Sequence, residues 1–154
     1  MSYVTNILLI KSSSLWIVDS GTTYHITNSR DEFVDFRRVP RRSKWIHVGN
    51  NEKVEVLKIG TCKLVLRGGK VLLFHDVLYV LEIRRNLISV LLLIKNGFYL
   101  NFHDIGVDLF LETNYYGSGY WDNGFIVLDV VSNNDASFSL MTSFSSSSDK
   151  DVNV

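Results

Sequence analysis

The sequence predicts an all-β fold, a barrel of short strands with one short buried helix. Three observations point there. Gly, Asn or Asp punctuates the chain at intervals of roughly eight to twelve residues, the spacing of short antiparallel strands. The segments between are rich in Val, Ile, Leu, Phe and Tyr, which suit a pleated, half-buried surface. One stretch, 87–94, departs from this pattern because it is apolar almost all round, as a short buried helix is.

Taken in order, the candidate strands are 15–18, 45–48, 53–57, 60–66, 70–74, 77–80, 99–102, 108–111 and 125–129. Gly49-Asn50-Asn51 and Gly68-Gly69 read as hairpin turns, because Gly and Asn tolerate positive φ. Asn86 stands where its side chain can accept a free backbone N–H and cap a helix over 87–94. Asn96-Gly97 supplies a left-handed stop. In so short a run, periodicity alone does not separate a buried helix from a buried strand; the cap and the stop favour the helix. Tyr115-Tyr116-Gly117 reads as a strand leading into a turn.

A chain of 154 residues fits one domain plus tails. The division expected is an N-terminal tail over 1–14, the β-barrel domain over 15–131, and a Ser-rich, disordered tail over 132–154. Hydrophobic residues make up 46%, enough for a sizeable core. Lys plus Arg and Asp plus Glu are both 16, so no net field draws the protein onto nucleic acid or an anionic membrane. The basic segment 37–44 (Arg37, Arg38, Arg41, Arg42 and Lys44) is read as a solvated loop between strands in preference to a phosphate-binding patch. No aromatic residue interleaves with its charges, so nucleic acid is not expected as a partner. The single Cys62 makes neither an intrachain disulfide nor a Cys-based zinc site, and its Val/Leu-rich surroundings suit a small core residue. His25, His47, His75 and His103 lack metal-site spacing, so neither a metal nor another cofactor is expected. The apolar stretches 4–10 and 87–94 are too short to span a bilayer; the expectation is a soluble, cytoplasmic chain with no membrane partner.

The chemistry concentrates at Trp16-Ile17-Val18-Asp19-Ser20-Gly21-Thr22-Thr23. An apolar strand delivers an Asp into a tight turn permitted by Gly21, with a hydroxyl residue between them. Aspartic proteolysis needs a carboxylate held rigidly beside a second one, so that the pair shares a proton. Like charges that close cannot both ionise cheaply, so one pKa rises and the other falls. Taken alone, Asp-Ser-Gly is a common turn sequence and the plainer reading is an exposed loop.

The residues that follow change this reading. His25 and Thr27, Phe33 and Phe36, Val48-Gly49-Asn50-Asn51 and Ile59-Gly60-Thr61 come in turn. After them come Asp76-Val77-Leu78-Tyr79-Val80, Arg85-Asn86-Leu87-Ile88-Ser89-Val90 and Asn96-Gly97-Phe98. In order and spacing the series resembles the protease region of copia-type retrotransposon Pol polyproteins, over about Trp16 to Asp129. Gly117-Ser118-Gly119 and the run from Gly124 to Leu128 look like that region's downstream β-segment. The resemblance implies a retropepsin-like (acid protease) β-barrel acting as an aspartic-type endopeptidase, with the Gag-Pol polyprotein as polypeptide substrate. Family chains carry one Asp-Ser-Gly each, and this chain has no second Asp-Ser-Gly or Asp-Thr-Gly. The active form implied is therefore a homodimer with the two-fold axis between two copies of Asp19. Asp19 is the implied catalytic acid/base, Ser20 the hydroxyl that locks the turn to the other half, and Gly21 the residue that permits the turn. His25 is read as ordering that turn, and the hairpin around 49–52 falls where a flap forms. Three positions depart from the family pattern: Thr22 replaces the usual Ala, Leu81 the usual Pro and Leu92 the usual Gln. Neighbouring zinc-knuckle and integrase motifs are absent, so the alternative is a catalytically inactive relic or interaction module, or a weak nucleic-acid binder through the basic loop 37–44.

Overall fold

In the computed structural model, which describes residues 15–131 and the two-residue strand Val152–Asn153, one strand organises the rest. Strand β1 (Trp16–Asp19) lies between β8 (Asn86–Ser89), to which it runs parallel, and β12 (Phe125–Leu128), to which it is antiparallel. Its Trp, Ile and Val are bulky or β-branched and buried, as a strand paired on both sides requires. Between these come β2 (Ile26–Thr27), β3 (Phe33–Arg38), β4 (Trp45–Val48), β5 (Glu52–Glu55), β6 (Lys58–Val65) and β7 (Val71–Tyr79). A six-residue helix α1 (Val90–Lys95) follows β8 directly. Strands β9 (Phe98–Phe102), β10 (Gly106–Leu111) and β11 (Asn114–Asp122) then form a meander that returns through β12.

The main sheet runs β3-β6-β7-β2-β8-β1-β12-β11-β10-β9, with β13 (Val152–Asn153) parallel to β7. The chain after β6 meets the chain after β12. Leu66 bridges Val130, the Arg67 N–H donates to the Asp129 carbonyl at 3.0 Å, and the Val131 N–H donates to the Val65 carbonyl at 2.8 Å. That contact closes the run from β6 round to β12 into a barrel. Inside it, the rings of Trp16 and Phe74 stack 6.2 Å apart among Leu64, Leu66, Leu72 and Ile88. Each such side chain contributes about 1.5–3 kcal/mol on burial. A second apolar cluster, including Ile26, Ile46, Val54 and Leu78, fastens the separate hairpin β4–β5 to the barrel.

The all-β barrel with one short helix agrees with the sequence reading, and four local features differ from it. The expected strands 70–74 and 77–80 are one strand, β7. His75 and Asp76 oppose the single residue Thr61 as a β-bulge, and Asp76 takes φ +57°, a value Asp tolerates better than most residues. The expected helix over 87–94 starts late. Residues Asn86–Ser89 pair with β1, so long-range pairing overrides the local cap, and Ser89, not Asn86, is the N-cap. The helix is also buried on one side only: Val90 and Leu93 face the core, whereas Leu91 is 42% and Ile94 56% exposed. Tyr115-Tyr116-Gly117 leads into no turn, because β11 runs on through Asp122. A Cβ on Gly117 would stand 2.7 Å from Leu66 Cδ1, so this glycine serves close strand packing. Finally, the basic segment 37–44 is not wholly a loop: Arg37 and Arg38 end β3 and pair with Ile59 and Lys58. Strands β2 and β3 were not foreseen, one because it has two residues and the other because its side chains are largely exposed. The expected tails, 1–14 and 132–154, lie outside the described residues apart from β13.

Candidate active site

Asp19 sits at the C-terminal end of β1, in register with Ser89 of β8. Beyond it the chain leaves the sheet, so the carboxylate emerges partly exposed while the three residues before it are buried. Its Oδ1 accepts the Gly21 N–H at 2.7 Å, which closes an Asx-type turn around Ser20. Gly21 has no left-handed backbone; its requirement is space. A Cβ there would lie 3.2 Å from Asp19 Oδ1 and press on the carboxylate. Ser20 is exposed, and no hydrogen bond among the described residues engages its hydroxyl.

The turn is held from behind by Ser89. Its Oγ–H donates to the Thr22 carbonyl at 2.8 Å, and the same oxygen accepts the Leu92 N–H at 3.2 Å, capping α1. The Ser89 N–H donates to His25 Nδ1 at 3.0 Å. One residue thus joins the strand beside Asp19, the turn after Gly21 and the first turn of the helix. His25 is fully buried and lies 4.7 Å, ring to ring, from Phe74. Burial lowers its pKa from 6.5 to about 4. With Nδ1 accepting, the ring proton resides on Nε2, which has no hydrogen-bond partner among the described residues. Thr22 donates its hydroxyl to the Tyr24 carbonyl at 2.9 Å, so the threonine adds a local bond to the turn.

A second polar link stands one strand further on. Asn86 Oδ1 accepts the Thr27 hydroxyl at 2.8 Å and the Asn28 N–H at 3.2 Å, while Asn28 Nδ2 donates to the Ile83 carbonyl at 2.9 Å. These bonds lock β2 to β8 beneath the site. Sequence reasoning placed Asn86 at a helix end and gave Ser89 no role of its own. Their partners lie about sixty residues away in the chain, so no local pattern reveals them.

Asp19 stands where two pockets meet. One, about 420 Å³, lies between the turn Gly21–Tyr24 and the hairpin β4–β5, and is lined by Trp45, His47 and Gly49. The other, about 380 Å³, opens on the Ser20 side and is lined by Val90, Phe102, Trp121 and Phe125. Among the described residues, Asp19 is the only carboxylate lining either. A third and larger space of about 490 Å³ continues from Val48 and Leu87 along β5 to Arg84 and Arg85. All three spaces have Leu87 in their lining, and the two lined by Asp19 lie on opposite sides of that aspartate.

Elsewhere the expected candidates fall into structural places. Cys62 is fully buried, and burial, with smaller effects from Glu32 and Asp35, pushes its thiol up out of the reactive range. Among the described residues no group of three or more His, Cys, Asp or Glu could hold a metal ion. Among the same residues no helix is long and apolar enough to cross a membrane.

Fold and site together define a β-barrel domain that presents one aspartate at the end of a central strand, under a hairpin. A family model described as "Pol polyprotein, beta-barrel domain" matches residues 16–98, more than half of the chain. The chain belongs to that Pol polyprotein β-barrel domain family. No curated protein and no solved structure matches it.

Proposed function

We propose that this chain is the aspartic-type endopeptidase of a copia-type Pol polyprotein, with a retropepsin-like barrel, and that two copies form the active enzyme. The observation that supports this best is the setting of Asp19. Its carboxylate is pinned by the Gly21 N–H and stands between two open pockets, one of them under a hairpin, and among the described residues no second carboxylate lines either pocket. A symmetric partner supplies the missing one.

In the dyad, one proton is shared between two copies of Asp19, and the titration belongs to the pair. The ionised member takes a proton from a water held between them. The oxygen of that water bonds to the scissile carbonyl carbon, and the protonated member hydrogen-bonds to the carbonyl oxygen as charge develops there. Collapse of the tetrahedral adduct breaks the C–N bond, and a carboxyl proton passes to the leaving amine. Gly21 holds Oδ1 and leaves the other oxygen to the water. Ser20, which is exposed and whose hydroxyl bonds to nothing among the described residues, takes the bond across to the partner in this reading. The hairpin β4–β5 serves as the flap over an extended peptide, and the substrate is the Gag-Pol polyprotein. Mixing the purified protein with such polypeptides at mildly acid pH, with and without Asp19→Asn, tests the proposal. Cleavage abolished by the substitution is expected; absence of cleavage, or equal cleavage by the variant, refutes it.

A further inference from the structure

Three aromatic side chains on the C-terminal meander are half exposed: Phe102 and Trp121 at 51% each and Phe125 at 38%. They come from three different strands, β9, β11 and β12, and all line the pocket that Asp19 and Ser20 also line. The Trp121 indole donates to the His103 carbonyl at 3.4 Å, and the Arg85 guanidinium covers the Phe125 ring at 4.4 Å. All three lie beyond residue 98, where the family match ends. We infer that this aromatic surface, on the Ser20 side of Asp19, is where a second copy of the chain packs.

The inference rests on the two-copy reading above and adds the surface that makes it. Two carboxylates that share a proton lie about 3 Å apart, so the two-fold axis passes within about 2 Å of Asp19. Any group lining the same cavity as Asp19 is then within a cavity's width of that axis. Two sides of Asp19 are open. The side beneath β4–β5 must stay clear for a peptide, and its lining is mixed, Thr22, Thr23 and His47 standing beside Trp45, Ile46 and Val48. The pocket on the Ser20 side is lined mainly by aromatic and aliphatic side chains, with Asp19 the one charged residue in its lining and Arg85 standing over its edge at Phe125. Trp and Phe enriched over charged residues is the composition of an interface core. In an isologous contact Trp121 meets the same region of the partner, so a patch of this kind counts twice.

A second aromatic row, exposed at its two ends, Tyr99 and Tyr115, offers an internal control. Tyr99, Phe110 and Tyr115 run across β9, β10 and β11, with ring centroids 6.1 Å and 5.8 Å apart. None of them lines the Asp19 pocket. The experiment is sedimentation of the full chain over a range of concentrations, for wild type, Trp121→Lys, Phe102→Lys and Tyr99→Lys. Circular dichroism and urea midpoints establish that each variant is folded. Trp121→Lys and Phe102→Lys are expected to weaken self-association by roughly thirtyfold or more, with Tyr99→Lys close to wild type. Oxidative footprinting of wild type needs no variant and should show Trp121 protected at high concentration and reactive at low concentration. A wild type that stays monomeric, unchanged Trp121 reactivity, or equal weakening by Tyr99→Lys overturns the inference. Cleavage is measured on the same samples. Dimers that cleave but ignore Trp121→Lys refute this surface and leave the proposed activity standing. Wild-type dimers that never cleave, yet are broken by Trp121→Lys, keep the surface and refute the activity.

Discussion

Acidification should loosen the fold through one buried imidazole. His25 has no exposed surface, accepts the Ser89 N–H on Nδ1, and faces the Phe74 ring. A second ring proton would replace that acceptor with a donor and leave a cation in an apolar site. Burial therefore lowers its pKa from 6.5 to about 4. Between those values the unfolded chain holds more protons than the folded one, so stability falls as pH falls. The loss is about 2 kcal/mol at pH 5 and about 3 kcal/mol by pH 4, relative to pH 7. Against a total of roughly 5–15 kcal/mol for a domain, that is a large share. Urea unfolding followed by tryptophan fluorescence at pH 7, 6 and 5, at one protein concentration, reads it before most carboxylates titrate. His25→Gln should flatten the slope over that range, whatever it costs at pH 7. The His25 ring C–H resonance should titrate near pH 4. Stability that stays level from pH 7 to pH 5, or a ring that titrates near 6.5, would refute the reasoning.

Three further outcomes follow from the site and the core. Ser89→Ala removes the bond to the Thr22 carbonyl and the cap on α1, and should cost about 2 kcal/mol in urea unfolding as well as lowering cleavage. Gly21→Ala crowds Asp19 Oδ1 at an exposed turn, so it should lower kcat strongly while shifting stability by less than about 1 kcal/mol. Cys62 is fully buried, so it should react with a thiol reagent only as the protein unfolds; rapid labelling of folded protein would contradict its place in the core.

How much of this was legible beforehand depends on how local each feature is. β4 lies where the turn spacing and apolar composition put it, and β1 is displaced by one residue, because both depend on their own side chains and the turns beside them. The turn at Gly68-Gly69 was likewise readable, since both residues take positive φ. The Asp19 turn was visible as a motif, but what pins it was not. Ser89 reaches Thr22 and His25 only because β8 lies beside β1, a pairing that one sequence does not display. The same pairing converted the expected helix start at Asn86 into strand. Gly117 misled for a related reason: locally it signals a turn, whereas its lack of a side chain makes room for Leu66. Trp121 is half exposed, and its neighbourhood with Asp19 follows only from the fold of the meander.

The central claim is that two copies of Asp19 make one active site. Mixing wild type with Asp19→Asn in equal amounts, after exchange of subunits, tests it most directly. If both aspartates are needed, only wild-type pairs cleave, and activity falls to about one quarter of that of the same total of wild type. A chain that works alone, or a pair that needs one aspartate, would retain half or more.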